Sequence, residues 1–460
     1  MKRESEFRYL KLANILREQI MSGFIKPGEY LMSENELCRY YGISRTSVRK
    51  SLEQLAKEGL IVKKVGQGTI VSPDLEIAAP QNRVLRIVAT SPSHFFDICM
   101  PALIERFRAE HPNVDVKCLS FSIGEFWDSV SASSDLGLQP DLVFVTDRQF
   151  GELEQKDRFL DLRERLPSAY AGLYPRLRDA FTADGEWKAA PVTFSTVFLA
   201  YNPDLFRKYG VAEPTEKWTR EQFLDAARKL TTDTNGDGIL DLYGLTLSSA
   251  PSRWPVVALQ NGVNFKQPDR RAIVRMLTML HDLLYRHQVA TLSPRYTLNS
   301  DAFVREKAAM VLTTAIELAG WVQATMKFTP KVAPLPFGDK KDTMLISNAF
   351  MVPADSNEPE LAARFLQMAI GPEMQEQLSR TAGFISVLPE VNEKIWNLPA
   401  LESLHLHQEA VENSYFLHEM VRDMHVMDEL DTEMMLFWSG LESAEEFADR
   451  MTEILSGSDD

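Results

Sequence analysis

The chain has 460 residues, 45% of them hydrophobic, and a formal net charge of −15 at pH 7. This length predicts about three domain-sized units, and the 3 cysteines (Cys38, Cys99 and Cys118) are too few and too scattered for a disulfide framework or a zinc knuckle. Residues 1–75 carry 13 Lys and Arg against 9 Asp and Glu, a net charge of +4, which leaves −19 for the rest of the chain. A surface that binds a polyanion is therefore expected within the first 75 residues.

The start of the chain, MKRESEFRYLKLANIL, has no apolar core and no small-residue cleavage site, so we expect no signal peptide. The longest nearly uncharged window, 308–326, contains Glu317 and several threonines. We interpret this window as a buried strand that runs into a helix, because a membrane span would be more uniformly apolar. We therefore expect a cytoplasmic protein with no membrane contact.

Residues 33–69 have the spacing of two capped helices followed by a hairpin. Ser33 and Glu36 fit the reciprocal S-x-x-E start, in which each side chain satisfies an unpaired backbone N–H. Gly42 supplies the left-handed residue that a sharp turn between helices needs. Ser44 is placed to cap the second helix. This arrangement predicts a helix-turn-helix.

Basic side chains begin directly after the second cap. Arg45 and Arg49 share one helical face, beside Thr46 and Lys50, and cations at that end of a helix can reach base edges and phosphates in the major groove. A basic, Gly-flanked stretch then follows and predicts a wing: Lys63, Lys64, Gly66, Gln67 and Gly68. The sequence therefore predicts a DNA-binding winged helix at residues 1–74.

Residues 7–72 resemble the GntR family of bacterial regulators. The family's spacing is matched by Pro27, Gly28, Leu31, Ser33, Glu34, Leu37, Ser44, Arg45, Val48, Arg49, Leu52, Leu55, Glu58, Gly59, Leu60, Gly66, Gly68 and Thr69. Met32, Cys38 and Ser51 depart from it, and none of these is a DNA-facing position. The resemblance implies base or phosphate contacts for Arg45, Thr46 and Arg49, with the wing tip in the minor groove. The candidate DNA-binding residues are Ser33, Ser44, Arg45, Thr46, Arg49, Lys50, Lys64, Gly66, Gln67 and Thr69.

Residues 75–83 have a proline, no periodicity and the composition of a linker. Strand-like segments then alternate with an amphipathic segment at 101–111; the strand-like segments are 84–89, 114–119 and 141–145. This order predicts a parallel sheet with helices on both faces. Ligand sites in such sheets lie at the carboxyl ends of strands, which here are 91–94 and 146–148.

From Arg83 to about residue 389, the order of segments resembles the extracellular solute-binding proteins of sugar ABC transporters, those similar to maltose-binding protein. The matching pieces include PALIERFRAEHPNVDV, PDLVFVTDRQFGELEQKDRFLDL, APVTFSTVFLAYNPDLFRKYG, FVREKAAMVL, VAPLPFG and GFISVLP. The resemblance implies a two-lobed α/β domain over 84–460 that closes on a ligand. We place lobe I at about 84–193 and 347–390, lobe II at about 194–346, and C-terminal helices at 391–460, with chain crossings near 191–198 and 347–350.

A sugar site needs flat apolar faces and planar polar groups. The family's aromatic platform, a G-x-W soon after "aAM", is absent, because Trp321 comes too late after Met310. Trp254 offers an aromatic ring between the lobes instead. The candidate ligand-binding residues are Ser91, His94, Asp147, Arg148, Trp254 and Thr314.

The segment DTNGDGILD resembles the start of a calcium loop. Asp233, Asn235, Asp237 and Asp241 stand at alternating positions that offer oxygen ligands, which Ca²⁺ prefers. Position 12, normally a bidentate carboxylate, is Gly244. The segment is therefore either a calcium site or an Asx-rich turn between a helix and a strand.

Together these features predict a regulator whose winged-helix head binds a double-stranded operator and whose body senses a small molecule, in particular a sugar or oligosaccharide. We expect a homodimer, because a single small head buries little surface on DNA, and a repressor by the habit of the family. No P-loop, GxSxG, HExxH or paired-Cys motif appears, so no catalytic residue and no further cofactor are assigned. Two alternatives remain open: a GntR head fused to a pyridoxal-phosphate-dependent aminotransferase-like domain, and a DNA-binding dimer that needs no ligand.

Overall fold

The computed structural model describes residues 2–21, 25, 27–41, 43–64, 68–75, 83–135, 139–215, 217–293, 300–323, 326–406 and 408–457. The chain forms two compact units. The first comprises residues 1–85 with 110–117 and 127–140, and the second comprises 86–109, 118–126 and 141–460. Most of the predicted linker at 75–83 lies outside the described residues, so the predicted domain boundaries stay predictions.

The described helices, in chain order, are α1 (Lys2–Met21), α2 (Glu34–Tyr41), α3 (Arg45–Lys57), α4 (His94–Glu110), α5 (Phe126–Asp135), α6 (Asp147–Glu152), α7 (Pro167–Gly172), α8 (Pro175–Ala180), α9 (Pro203–Lys208), α10 (Arg220–Leu230), α11 (Pro255–Gln260), α12 (Arg270–His281), α13 (Asp301–Val304), α14 (Ala315–Gln323), α15 (Pro359–Ile370), α16 (Pro372–Ala382), α17 (Pro389–Ile395), α18 (Leu398–Ser403), α19 (Gln408–Glu412), α20 (Leu417–Met420), α21 (His425–Trp438) and α22 (Ala444–Ser456).

The described strands are β1 (Ile61–Lys64), β2 (Gly68–Val71), β3 (Arg83–Ser91), β4 (Val114–Ser122), β5 (Leu142–Thr146), β6 (Thr182–Ala183), β7 (Glu186–Trp187), β8 (Ala190–Tyr201), β9 (Tyr243–Leu247), β10 (Ala290–Leu292), β11 (Ala308–Thr314), β12 (Lys331–Ala333), β13 (Met344–Met351) and β14 (Tyr415–Phe416).

The head has a three-helix core closed by a hairpin. Helix α3 buries Val48, Leu52 and Leu55 at helical spacing, against apolar residues of α1 and α2. Strands β1 and β2 pair antiparallel, with Lys64 opposite Gly68. This is the winged helix-turn-helix that the sequence predicted; the turn glycine Gly42 lies outside the described residues.

The body is built on one mixed sheet with the strand order β10-β9-β11-β8-β13-β5-β3-β4, to which β12 and β14 add at β8 and β13. Strands β3 and β5 are parallel, as are β9, β10 and β11, but β8 runs antiparallel to both β11 and β13. The expected all-parallel sheet is therefore corrected. The reason is that β8 and β13 carry the chain between the two halves of the sheet: β8 runs antiparallel to β11, and β13 runs antiparallel to β5 and β8.

We call the half around β3, β4 and β5 the first lobe and the half around β9, β10 and β11 the second lobe. All 12 residues of β8 are buried, which makes this strand the shared spine of both lobes. The predicted crossings near 191–198 and 347–350 fall within β8 and β13.

The C-terminal helices α21 and α22 pack on the second lobe. Met427, Leu430 and Phe447 belong to the same hydrophobic core as Ile273 and Leu277 of α12. Arg270 of α12 also pairs with Asp449 of α22. In the described part of the chain, no helix has both the length and the apolarity that crossing a bilayer requires.

Candidate functional site

The two predicted caps fix where the helices of the head begin. The Ser33 amide donates to Glu36 Oε2 at 2.7 Å and the Glu36 amide donates to Ser33 Oγ at 3.3 Å, which confirms the capping box. The Ser47 amide donates to Ser44 Oγ at 3.2 Å, so α3 starts at residue 45. This start places Arg45 in the first turn of α3, where a cation can meet a DNA phosphate.

Arg45 and Arg49 form one cationic face, and both side chains are more than half exposed (61% and 55%). Thr46 beside them is exposed as well. Their shared counter-ion is Glu34, whose Oε2 lies 3.2 Å from Arg45 Nε and 2.9 Å from Arg49 Nε. Glu34 also reaches the wing, because its Oε1 lies 3.8 Å from Lys63 Nζ.

Glu34 is the residue of this face to which our sequence interpretation gave no role. The hydrogen bond from Arg49 is the main reason that the pKa of Glu34 lies below its usual value. One carboxylate therefore holds three cations in place on the surface predicted to face DNA. Glu34 is the first residue of α2 and its partners lie on α3 and β1, so the local sequence gave no signal of them.

The remaining head candidates are dispersed around this face. Lys50 Nζ lies 5.7 Å from the ring centroid of Tyr9 on α1. Lys64 is exposed at the end of β1, and Thr69 on β2 accepts a backbone bond from Leu31 at 2.8 Å. Gly66 and Gln67 lie outside the described residues, so their predicted minor-groove contact stays a prediction.

In the body, four of the six ligand candidates follow the strand ends that the sequence indicated. Ser91 ends β3, and Asp147 follows β5 at the start of α6, with Arg148 next to it. His94 begins α4, and a Cβ added to Gly320 of α14 would lie 2.2 Å from its Nδ1. The first lobe therefore touches the second lobe directly at His94.

Asp147 is buried at the junction of the lobes. Its Oδ1 accepts the Ser347 amide of β13 at 2.9 Å, and burial raises the pKa of the carboxyl to about 7. The nearby Arg253 guanidinium acts in the opposite direction on this pKa, and Glu419 acts in the same direction as burial. Burying an unpaired polar group costs free energy of folding. The hydrogen bond from Ser347 and the nearby Arg253 reduce this cost for Asp147.

Arg253 and Glu317 are the second lobe's part of that cluster, and the sequence interpretation missed both as ligand candidates. Arg253 is 7% exposed, and its Nη2 lies 2.8 Å from Glu317 Oε1. Thr313 Oγ1 donates to the other Glu317 oxygen at 2.7 Å. The candidate Thr314 accepts the Glu317 amide at 3.2 Å and so starts α14. Guanidinium and carboxylate groups are able to hydrogen-bond the hydroxyls of a sugar.

The structure corrects the expectation that Trp254 offers an aromatic ring between the lobes. The ring is 1% exposed and packs in the core of the second lobe, 5.9 Å from Phe265 between centroids. It therefore offers no open face between the lobes in this structure. Its Nε1 is buried and has no hydrogen-bond partner among the residues that the structure describes. The preceding residue, Arg253, instead pairs with Glu317 of α14.

Arg148 ties the first lobe to the C-terminal helices. Its Nε lies 2.6 Å from Glu152 Oε1, and its Nη2 pairs with Asp428 of α21. Next to it, α6 and α20 are in close contact, since a Cβ added to Gly151 would lie 2.4 Å from His418 Cβ. The segment that packs on the second lobe therefore also holds α6 of the first lobe.

The acidic segment after α10 forms a compact turn. Asp233 Oδ1 accepts the amides of Asn235 and Gly236 at 3.1 and 2.7 Å, and its Oδ2 accepts the Gly238 amide at 2.6 Å. Asp241 accepts the Thr234 amide at 2.9 Å. Among the residues that the structure describes, no group of three His, Cys, Asp or Glu side chains is placed to hold a metal ion. The Asx-rich turn accounts for these residues, and calcium binding stays a prediction.

A groove of about 1040 Å³ lies elsewhere in the body. Its lining comes from the loop after α9, from β12 and the segment that leads into β13, and from α18 to β14, and includes Lys217, Val332, Thr343, Asn413 and Tyr415. None of the six ligand candidates lines it. The groove is therefore separate from the polar cluster around Asp147.

A winged helix with an exposed arginine face, followed by two α/β lobes that share crossing strands, defines a DNA-binding head joined to a solute-binding-protein fold. Comparison with known families agrees. Residues 102–403 match the family described as bacterial extracellular solute-binding protein, and the chain belongs to this family. Residues 8–71 match the gntR family of bacterial regulatory proteins.

The head is similar to curated regulators. It is 41% identical over 71 residues to the HTH-type transcriptional repressor NagR of Bacillus subtilis, which is 15% of this chain and 29% of that protein. It is 34% identical over 90 residues to the arabinose metabolism transcriptional repressor of Geobacillus stearothermophilus, covering 20% and 25%. These matches span well under half of the relatives, so they concern the head.

The body is similar to solved solute-binding proteins. An ABC substrate-binding protein from Listeria monocytogenes in complex with cycloalternan superposes with a TM-score of 0.66 at 20% identity, over 81% of this chain and 98% of that chain. A solute-binding protein from Thermotoga lettingae bound with α-D-tagatose gives 0.70 at 18% identity, over 81% and 100%. At these identities the likeness establishes the fold. The aminotransferase-like alternative is therefore wrong, and neither matched family is a family of enzymes.

Proposed function

We propose that this protein is a one-component transcriptional regulator, acting as a repressor, in which a carbohydrate bound by the two-lobed body changes how the head binds its operator. The observation that carries the proposal is the presence in one chain of the exposed Arg45–Arg49 face and of a sugar-transport type of fold. On this proposal the protein acts in the cytoplasm, where the operator is, and it has no catalytic role.

The arginine face supports the DNA half of the proposal. Arg45 and Arg49 project from the first two turns of α3, and Lys63 of the wing lies close to them through Glu34. DNA phosphates can take over the role of Glu34 as counter-ion, since exposed ion pairs contribute only about 0–1 kcal/mol each. Curated relatives of this head are named repressors, which supports that sign of regulation.

The polar cluster between the lobes supports the carbohydrate half. Asp147 comes from the first lobe, and Arg253 and Glu317 come from the second. A ligand that replaces part of this network would contact both lobes at once. It can favour one lobe arrangement only by the difference between its affinities for the two arrangements.

A ligand-independent DNA-binding dimer is the second candidate function. It is favoured by the position of Trp254, which lies in the core, and by the Arg148–Asp428 ion pair, which ties the lobes together through protein groups alone. In that case the body would serve as a scaffold for dimerisation.

A thermal-shift screen of the full chain separates the two candidates. The probes are arabinose, tagatose, maltose, maltotriose and cycloalternan, each in large excess. A ligand at 100 times its dissociation constant stabilises the folded state by roughly 2.7 kcal/mol, so we expect at least one probe to raise the melting temperature. The shift should be lost in the double variant Arg253→Ala, Glu317→Ala and kept in Arg207→Ala, an exposed arginine on α9. A full set of probes without any shift would favour the scaffold.

A further inference from the structure

One helix that follows the linker in the chain belongs with the head. Helix α5 (Phe126–Asp135) comes after β3 and β4, yet residues 127–140 fall in the first compact unit together with residues 1–85. A hydrogen bond joins Tyr40 of α2 to Ser133 of α5, with the two hydroxyl oxygens 3.2 Å apart and the residues 93 positions apart in the sequence. The head is therefore bonded to a helix that lies, in chain order, between two strands of the body's sheet.

Ser133 lies on the buried face of α5. Phe126, Val130 and Ser133 are spaced i, i+4 and i+7, and they are 2%, 8% and 0% exposed. A hydroxyl that is buried on such a face costs free energy of folding unless it is hydrogen-bonded, and the Tyr40 hydroxyl supplies that bond. The contact therefore depends on one specific pair of side chains.

Helix α2 connects this contact to the arginine face. Glu34 is the first residue of α2, and Tyr40 is in its last turn. The six residues between them span about 9 Å of helix, so both ends move together when α2 shifts as a rigid body. The Glu34 carboxylate pairs with Arg45, Arg49 and Lys63. A shift of α2 against α3 therefore changes how these three cations are held.

The chain also connects α5 to the polar cluster around Asp147. After α5 the chain enters β5 (Leu142–Thr146), and Asp147 at the end of this strand accepts the Ser347 amide. Strand β5 is buried and pairs with β13 on one side and β3 on the other, so it is a rigid element. A rearrangement at Asp147 therefore acts on the segment of chain that leads back to α5.

We infer that the Tyr40–Ser133 hydrogen bond is the contact through which a ligand of the body changes how the head binds DNA. The inference rests on the proposed function and adds to it the residues that transmit the change. One arrangement of the protein keeps this bond, and the other breaks it and releases α2. A hydrogen bond that is made in only one of two arrangements changes their ratio by about 2- to 12-fold, which overlaps the range typical of coupling between two sites.

Proximity alone does not demonstrate coupling, so the first experiment measures coupling itself. Fluorescence anisotropy gives the DNA affinity of the full chain without and with whichever of the five carbohydrate probes raises the melting temperature. The ratio should be at least ~5-fold for the wild type and below ~2-fold for Tyr40→Phe and for Ser133→Ala. The double variant should lose no more than either single variant, because all three remove the same bond. The DNA affinity of the variants should lie between the two wild-type values, since the arginine face itself is unchanged.

The matched controls are the same changes at the neighbouring residues. Tyr41→Phe removes a hydroxyl that bonds Gln19 of α1 inside the head. Ser134→Ala removes a hydroxyl that donates to Val130 O inside α5 at 3.1 Å. Both controls should keep the wild-type ratio. A loss confined to Tyr40→Phe and Ser133→Ala then reflects the contact between the two helices and not a general loss of stability in either.

A second experiment needs no carbohydrate. Hydrogen–deuterium exchange of the full chain, followed by mass spectrometry, compares the amides of residues 126–135 without and with the selected duplex. Because coupling between two sites is reciprocal, DNA bound to the head should change the exchange rate of α5 at least ~2-fold in the wild type. The same duplex should leave α5 of Tyr40→Phe unchanged.

The outcomes separate the inference from the proposed function. If the wild type couples carbohydrate to DNA but Tyr40→Phe and Ser133→Ala couple them equally well, or if α5 does not respond to DNA, the inference is wrong and the proposed function stands. If no probe changes the DNA affinity of the wild type but DNA changes the exchange of α5 through Tyr40, the contact is upheld and the carbohydrate half of the proposed function fails. If neither effect is found, both are wrong.

Discussion

Single side chains set the charge of the face that is proposed to meet DNA. Glu34 is 23% exposed and pairs with Arg45, Arg49 and Lys63, so the cations are oriented before DNA arrives. Exposed pairs of this kind are weak. A phosphate can therefore replace Glu34 at small cost, and the arginines need little reorganisation when they bind.

The first prediction concerns Arg49. Arg49→Ala should weaken binding to a duplex that the wild type selects from a random pool, and it should lower the slope of log affinity against log salt by about 1, because one phosphate contact is lost. Fluorescence anisotropy over a range of KCl concentrations measures both quantities. Lys57→Ala, at the opposite end of α3, is the control and should match the wild type. Unchanged affinity and slope for Arg49→Ala would remove Arg49 from the DNA-binding face.

The second prediction follows from the burial of Asp147. Because its pKa is raised to about 7 in the folded state and is about 3.9 in an unfolded chain, the folded state binds the proton more tightly. The contribution of this group to stability is therefore full below about pH 4 and falls as the pH rises to about 7. Asp147→Asn keeps an oxygen that can accept the Ser347 amide and removes the titration.

Calorimetric melting at pH 5 and pH 8 tests this prediction. The fall in melting temperature between the two pH values should be smaller for Asp147→Asn than for the wild type. Asp225→Asn on α10, where the carboxylate pairs with Lys229 at the surface, should fall as the wild type does. If the melting temperature of Asp147→Asn falls as much as that of the wild type between pH 5 and pH 8, ionisation of Asp147 does not reduce the stability of the folded state.

Secondary-structure elements bring the two lobes together at two contacts. Helices α4 and α14 meet at His94 and Gly320. Helix α6 meets the C-terminal segment at Gly151 and through the Arg148–Asp428 pair. In both contacts a glycine permits the approach, since a Cβ on either residue would overlap a histidine. The close approach at both contacts therefore depends on glycine, which has no Cβ, at positions 151 and 320.

The third prediction uses the first of these contacts. Gly320→Ala places a Cβ 2.2 Å from His94 Nδ1 and 2.5 Å from Cγ, so the ring has to move and the lobes should separate. We expect a larger radius of gyration in small-angle X-ray scattering and weaker carbohydrate binding. His94→Ala in the same chain removes the overlapping ring and should restore the wild-type radius of gyration. Gly124→Ala, where nothing lies within 4 Å of the added Cβ, is the control. If Gly320→Ala is as compact as the wild type, the two lobes do not depend on this contact.

Local sequence signals were sufficient for part of the molecule. The Ser33–Glu36 box, the Ser44 cap and the buried run of β5 depend on residues close in sequence, and the structure contains each of them. The order of segments along the body also predicted the two-lobed fold, apart from the antiparallel directions of β8 and β13.

Contacts between residues far apart in the sequence could not be predicted from local sequence signals. The Arg148–Asp428 pair joins residues 280 positions apart, and the environment of Trp254 depends on how the second lobe packs around Phe265. Arg253 stands next to Trp254 in the sequence, yet only packing decides which of the two side chains enters the core. Nothing in the local spacing could have placed Arg253 and Glu317 together.

The chain as a whole is proposed to couple two binding events in one molecule. The most direct test measures the affinity of the full chain for its selected duplex by anisotropy, without and with a saturating carbohydrate identified by thermal shift. We predict a change of at least ~5-fold in DNA affinity, and the same factor when carbohydrate affinity is measured with and without DNA, because coupling between two sites is reciprocal. A carbohydrate that binds and stabilises the protein but leaves its DNA affinity unchanged would contradict the account.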